Sequence, residues 1–257
     1  MRILAIESSG AQASAAILEN GKVLAYEQGP FKVTHSETLM PLVSRTFFSA
    51  GINKEDIDAI AVSGGPGSFT GLRIGSATAK ALGMALKKPL IHVPTLHAMA
   101  YNFLGSGNII VPIMDARRDQ VYTGVFTFVI RPDQMIDFSV FHDSAAMSIT
   151  DLMEYLNELT SLDGNPPLVV FLGDGVEKYE DTIDELAEFN YAFAPDELNL
   201  QRADSVGIVG FVYYFEGLLT DPDEEAPDYL RPSQAEREAQ EKKASEAGHE
   251  QKPETGV

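Results

Sequence analysis

The chain has 257 residues, 44% of them hydrophobic, enough to bury a sizeable core as one large domain or two small ones. Its 38 acidic residues outnumber 19 Lys and Arg, leaving a formal charge of -19; this excludes a nucleic-acid binder working alone, because a phosphate-binding surface needs clustered cations. No cysteine is present, which removes disulfides and thiolate metal sites, and no apolar run reaches bilayer-spanning length, so a soluble cytoplasmic protein with no membrane partner is expected.

Residues 2–7 and 13–19 read as short apolar strands, and Asn20-Gly21 supplies the hairpin signal into a third strand near 22–28. Thr34 and Glu37 stand at capping-box spacing ahead of a helix over 34–50, with Leu39, Val43, Phe47 and Ala50 along one stripe and Pro41 removing one donor. A buried strand at 58–63, a glycine-rich loop at 64–68, a helix over 71–86 and a strand at 90–93 follow. Strands at 109–114, 120–130 and 136–141 open a second series. A helix near 150–160 capped by Thr150 or Asp151 comes next, then a strand at 168–172, a Gly173-Asp174-Gly175 turn and a helix running to residue 188. The order strand, strand, strand, helix, strand, helix thus occurs twice, which predicts an α/β protein of two lobes, residues 1–103 and 104–232. A last helix over 201–219 can pack on either lobe. Residues 233–257 carry almost nothing apolar and read as a disordered or solvated helical tail.

The most informative run is Ser63-Gly64-Gly65-Pro66-Gly67-Ser68-Phe69-Thr70-Gly71-Leu72-Arg73-Ile74-Gly75. It joins a buried strand to a helix N-terminus, a place that favours an anion, so Gly65, Gly67, Ser68, Thr70 and Gly71 form a candidate anion or nucleotide loop. The competing reading is that these glycines serve a tight turn and close packing. No Gly-Lys-Ser/Thr follows, so it is not a P-loop. Gly71, Gly75, Ala79 and Gly83 recur every four residues as a stripe of small side chains. Each helical glycine costs about 1 kcal/mol against alanine, so the stripe implies the close approach of a neighbour, from this chain or from another.

Taken together, GGPGSFTGLRIG with Ala79-Lys80, His35-Ser36-Glu37 with Leu39 and Pro41, Asp115-Ala116-Arg117-Arg118 with Val121-Tyr122, Gly173-Asp174-Gly175, and Tyr229-Leu230-Arg231 resemble the TsaB/YeaZ family, in the family's order and across residues 1–232. The resemblance implies the actin/Hsp70/sugar-kinase (ribonuclease H-like) fold. It implies a non-catalytic subunit in making threonylcarbamoyladenosine beside the tRNA anticodon, with TsaD, the transferring paralogue, and TsaE, an ATPase, as partners. It also implies a homodimer when TsaD is absent, and contact with tRNA only through partners. The two metal-binding histidines of TsaD fall, by alignment through Val93, on Thr95 and Met99; His97 lies between them with no histidine one turn away, and reads as a partly buried polar residue. The aspartate that TsaD carries near its amino terminus is replaced by Ala11, leaving Glu7. No metal and no resident cofactor are expected, with a nucleotide at the cleft or the partner interface left open.

The face expected to hold TsaD comprises Leu39, Val43, Phe47, Leu72, Gly75, Ala79, Leu82 and Gly83, taken as an exposed patch on the two helices. Glu7, Asp115 and Arg117 are candidate cleft residues. Arg117 and Arg118, flanked by Asp115 and Asp119, suit local ion pairs or a contact to RNA or a partner. Glu177, Glu180, Asp181, Asp184, Glu185 and Glu188 read as a solvated helix face. The rival class is a free-standing enzyme, either metallopeptidase-like or an ATP-dependent phosphotransferase; the first lacks histidine ligands at Thr95 and Met99, and the second has only Glu7 and Asp115 placed to hold Mg²⁺. A homodimer with an unrelated regulatory role is a third reading.

Overall fold

Arg2–Glu7 (β1) is apolar on both sides, Ile3 and Ala5 alternating with Leu4 and Ile6, and a strand of that kind needs cover on both faces. The computed structural model, which describes residues 1–230 apart from Asp163, Asn165 and Tyr229, supplies that cover. After β1 come β2 (Ser14–Glu19), β3 (Lys22–Gln28), α1 (His35–Ala50), β4 (Ala59–Gly65), α2 (Phe69–Leu86), β5 (Leu90–Pro94) and α3 (Thr95–Ala100). The chain continues with β6 (Ile109–Asp115), β7 (Gln120–Ile130), β8 (Ile136–Ser148), α4 (Ile149–Ser161), β9 (Val169–Leu172), α5 (Val176–Leu186), β10 (Tyr191–Phe193), α6 (Asp196–Asn199) and α7 (Ala203–Phe215).

The first sheet has the order β3-β2-β1-β4-β5 and the second β8-β7-β6-β9-β10, so the two halves repeat one topology. In each, the first three strands pair antiparallel and the last two join in parallel. This is the duplicated ribonuclease H-like α/β fold that was expected. Helices α1 and α2 cover one face of the first sheet, and α4 and α5 the matching face of the second. The remaining faces are covered crosswise. Helix α3, which leaves the first sheet, packs Leu96, Met99 and Ala100 against Ile110, Phe126 and Val170 of the second. Helix α7, from the end of the chain, packs Ala203, Val206 and Val209 onto Ile3, Ala5 and Ala61 of the first. A Cβ on Gly207 would come within 2.1 Å of Leu18, so glycine there lets α7 lie close to the sheet.

Several local expectations need correction. Thr34 precedes α1, but its side chain makes no cap; the Glu37 N–H donates to the Thr34 carbonyl instead. Helix α2 begins at Phe69 rather than Gly71, because Ser68 accepts from the Gly71 N–H. The cap of α4 is Ser148, which accepts from the Asp151 N–H, not Thr150 or Asp151. Strand β8 continues beyond residue 141 to Ser148, its pairing with β7 carried past two irregularities near Val125. The short α3 and β10 were not anticipated at all. No helix of the described residues is long and apolar enough to cross a membrane. The expected tail at 233–257, like Tyr229 and Arg231, lies outside the described residues.

Candidate functional site

β1 ends at Glu7, and the loop after β4 folds over that end. The Ser68 N–H donates to the Ser9 carbonyl at 2.7 Å, and Ser8 Oγ donates to the Gly71 carbonyl at 2.9 Å. Added Cβ atoms on Gly67, Gly71 and Gly75 would sit 2.6, 2.0 and 2.2 Å from atoms of Ser8 or Ser9. The candidate loop residues Gly65, Gly67, Ser68, Thr70 and Gly71 are therefore gathered at the start of α2, where the glycines let the helix approach the end of β1; Ser68 and Thr70 stay exposed. The stripe Gly71, Gly75, Ala79 and Gly83 faces this chain's own strands, Gly83 lying against Leu90 and Pro222.

Glu7 is fully buried. One oxygen accepts from Ser9 N–H and Oγ at 2.5 and 2.6 Å, while the other has no hydrogen-bond partner among the described residues. Burial raises its carboxyl above the usual range despite the hydrogen bonds from Ser9, the nearby Ser63 hydroxyl and the charge of His35. His35 is held by Nε2 at 2.9 Å from the Gly10 carbonyl. A carboxyl sealed from solvent is poorly disposed to hold a solvent-borne cation.

The expected docking residues require correction. Leu39, Val43, Phe47, Leu72 and Ala79 are 5% exposed or less, Gly75 and Gly83 are buried and Leu82 is half-buried. They form the core between α1, α2 and the first sheet, so they cannot make an exposed patch. The outward sides of these helices carry other residues. On α1 these include Met40, Pro41, Ser44 and Phe48; on α2 they include Arg73, Ala77, Ala81 and Met84, with Ile74 and Thr78 half-exposed. The helix has two small-residue stripes, and sequence reasoning chose the inner one. The signal that identifies the outer one is Arg73, whose charge cannot enter the core and whose four-residue spacing leads to Ala77 and Ala81.

Asp115 ends β6 at the position topologically equivalent to Glu7, but on the surface. Lys178 of α5 pairs with it at 2.9 Å and the Arg117 N–H donates to it at 3.0 Å. Arg117, Arg118 and Asp119 all adopt positive φ in the turn, and no ion pair of Arg117 or Arg118 is found among the described residues, so Lys178 takes the acid they were expected to share. Thr95 and Met99 are fully buried, Met99 within the core beneath α3. His97 is half-buried, bonded through Nδ1 to the Tyr213 hydroxyl at 3.0 Å and through Nε2 to Asp143 at 3.1 Å, and it contacts Phe126 and Phe138. It thus ties α3 to α7 and β8, in keeping with a packed polar residue. The acidic residues on α5 from Glu177 to Glu185 are exposed, and Glu188 lies beyond the helix end.

A family model described as tRNA N6-adenosine threonylcarbamoyltransferase, TsaD, matches residues 31–239. The tRNA threonylcarbamoyladenosine biosynthesis protein TsaB of Bacillus subtilis is 30% identical over 92% of this chain and 96% of its own length. The chain belongs to the TsaB family. The TsaB of Escherichia coli is 37% identical over a shorter stretch, 48% of this chain and 53% of that protein. YeaZ from Pseudomonas aeruginosa, a solved structure, superposes with a TM-score of 0.70 over 89% of this chain and 99% of its own, at 22% identity, a likeness of fold. Membership of the TsaB family and a match to the TsaD model together fit a chain that keeps the shared architecture while burying Thr95, Met99 and Glu7.

Proposed function

We propose that this chain is a non-catalytic subunit in the synthesis of threonylcarbamoyladenosine on tRNA, and that it holds a TsaD-type transferase through the outward face of α1 and α2. The observation that carries this reading is the composition of that face. Met40 and Phe48 on α1 and Ala77, Ala81 and Met84 on α2 present exposed apolar or small side chains in a chain of formal charge -19. The small side chains on α2 allow another helix to come close, while Met40 and Phe48 offer contact area. The non-catalytic part is supported by Thr95 and Met99, buried where the resemblance puts metal-binding histidines, and by the sealed Glu7. In this reading tRNA is reached through partners, as the charge suggests, and TsaE joins the same assembly. Without TsaD, the same face closes a homodimer.

Ala81→Arg places a long cation on the outward stripe without entering the core. It is expected to leave the circular dichroism spectrum unchanged and to abolish co-elution with TsaD. Normal co-elution overturns the choice of face. Threonylcarbamoyl transfer to tRNA by this chain alone overturns the non-catalytic role.

A further inference from the structure

His92 lies on β5, the edge strand of the first sheet. After α7 the chain turns back along this edge. Leu90 and Thr220 exchange main-chain hydrogen bonds at 3.0 and 2.9 Å, Lys80 of α2 donates to the Asp223 carbonyl at 2.8 Å, and the Asp228 N–H reaches the Gly64 carbonyl at 2.7 Å. Residues 218–228 thus form a strap from β5 to the loop that opens α2. The Asp228 carbonyl lies so near Gly65 that an added Cβ would come within 2.3 Å of it.

Both ring nitrogens of His92 face acids of this strap: Nδ1 lies 3.2 Å from Glu225 Oε1, and Nε2 lies 3.1 Å from Asp228 Oδ2. A neutral imidazole has one N–H and one lone pair, so it can donate to only one of them and sets a lone pair against the other. With both acids as carboxylates, only the doubly protonated ring satisfies both. The Glu225 side chain is 1% exposed and its second oxygen has no hydrogen-bond partner among the described residues. A carboxylate so buried needs a countercharge, and His92 is the group in contact with it.

Other elements packed on β5 add little. β4 offers Ser63 and Gly64; from α2, Lys80 turns to the Asp223 carbonyl; α3 offers His97, engaged with Tyr213 and Asp143; α7 carries Asp204, paired with Arg202, and is followed by Glu216. Burial pushes the His92 ring down, but the bond and charge of Glu225, and then those of Asp228, outweigh it, so the net direction is up.

We propose that His92, as an imidazolium, is the proton-dependent pin that fastens the strap 218–228 across β5 and onto the glycine loop ahead of α2. The hold is complete below the ring's ordinary value of about 6.5 and is lost as pH rises through the value it has with the strap closed. Deprotonation leaves Glu225 buried without a cation, and the strap lifts from Gly64 and Gly65. This holds whichever partner α2 meets.

The test is amide hydrogen exchange on the full chain, corrected for intrinsic pH dependence, together with NMR titration of the His92 ring. Exchange at Thr220 and Asp228 is expected to accelerate from pH 6 to pH 9 while α4 and α5 stay protected. The gain is about tenfold for each unit by which the closed-strap value exceeds the open one. His92→Gln is expected to remove this pH dependence, and Glu225→Gln to reduce it, because Asp228 still faces the ring. Gly64→Ala, whose Cβ would fall 2.0 Å from the imidazole, is expected to open the strap at every pH. If the amides of the unmutated chain exchange independently of pH, if the ring titrates at or below its ordinary value, or if His92→Gln keeps the acceleration, the pin is wrong.

Discussion

In the first half of the molecule the helix layer over the sheet turns Met40, Phe48, Ala77, Ala81 and Met84 outward; in the second the matching layer turns Glu177, Glu180, Asp181, Asp184 and Glu185 outward. Beneath, the layers are alike. Leu39, Leu42 and Val43 of α1 pack on the first sheet as Leu152, Met153 and Leu156 of α4 pack on the second, and both sheets have one strand order. Duplication of a fold constrains the inner stripe, because core volume must be kept, and leaves the outer stripe free to change. The acidic layer repels other chains of this charge and stays solvated; the small, apolar layer invites contact. The functional difference between the halves therefore lies on the outer stripes.

Neighbouring phenylalanines on α1 mark the boundary between the stripes and give the largest expected effect. Phe47 is 5% exposed and belongs to the core, while Phe48 is 88% exposed. Phe47→Ala is expected to cost about 3–5 kcal/mol in urea denaturation, as is usual for emptying a buried aromatic site. Phe48→Ala is expected to fall within about 0.5 kcal/mol of the unmutated chain, as for a surface change. Similar losses in the two variants would mean that the sidedness assigned to α1 is wrong.

A medium effect separates the two strand-end acids. Glu7 is buried with its carboxyl raised, whereas Asp115 is at the surface with its carboxyl lowered. A raised folded value means that the fold favours the protonated acid, so the stabilising contribution of Glu7 is present below its unfolded value and is lost as pH rises through the folded one. Glu7→Gln mimics the protonated form. Its stability relative to the unmutated chain is expected to increase with pH across that window and to level off above it, as read from urea midpoints at successive pH values. A constant difference would show that folding leaves the Glu7 carboxyl at its unfolded value.

The repeated topology was legible because strand burial, the Asn20-Gly21 turn and helical spacing are local signals, and the element order they give appears twice. The cross-packing of α3 and α7 was not, since periodicity says that a helix has a buried side but not which sheet it meets. Helix α7 shows this most clearly: it is apolar nearly all round, with Gly207 and Gly210 set against Leu18 and Ala61 from the opposite end of the chain. The face of α2 was misread for a related reason. Glycine spacing reports close approach, and in this fold the approach is to Ser8 and Leu90 of the same chain. The setting of His92 was not legible, because its acids, Glu225 and Asp228, lie more than 130 residues later and give no local sign.

The smallest effect sharpens the same comparison at Asp115. Partial burial pushes this carboxyl up, but the Lys178 ammonium and the Arg117 N–H outweigh it and bring it below the ordinary range. A lowered folded value gives stability that is present above the unfolded value and lost as pH falls through the folded one. The pair is exposed on both sides, so water and salt screen most of its energy. Lys178→Met is therefore expected to leave the urea midpoint at neutral pH unchanged and to move the Asp115 carboxyl, followed by its carbon NMR shift, back toward the ordinary range. The Arg117 N–H remains, so the return is partial, and Glu7 should not respond. A large loss of stability in this variant would mean that the second strand end is as tightly built as the first, and that surface exposure does not distinguish them.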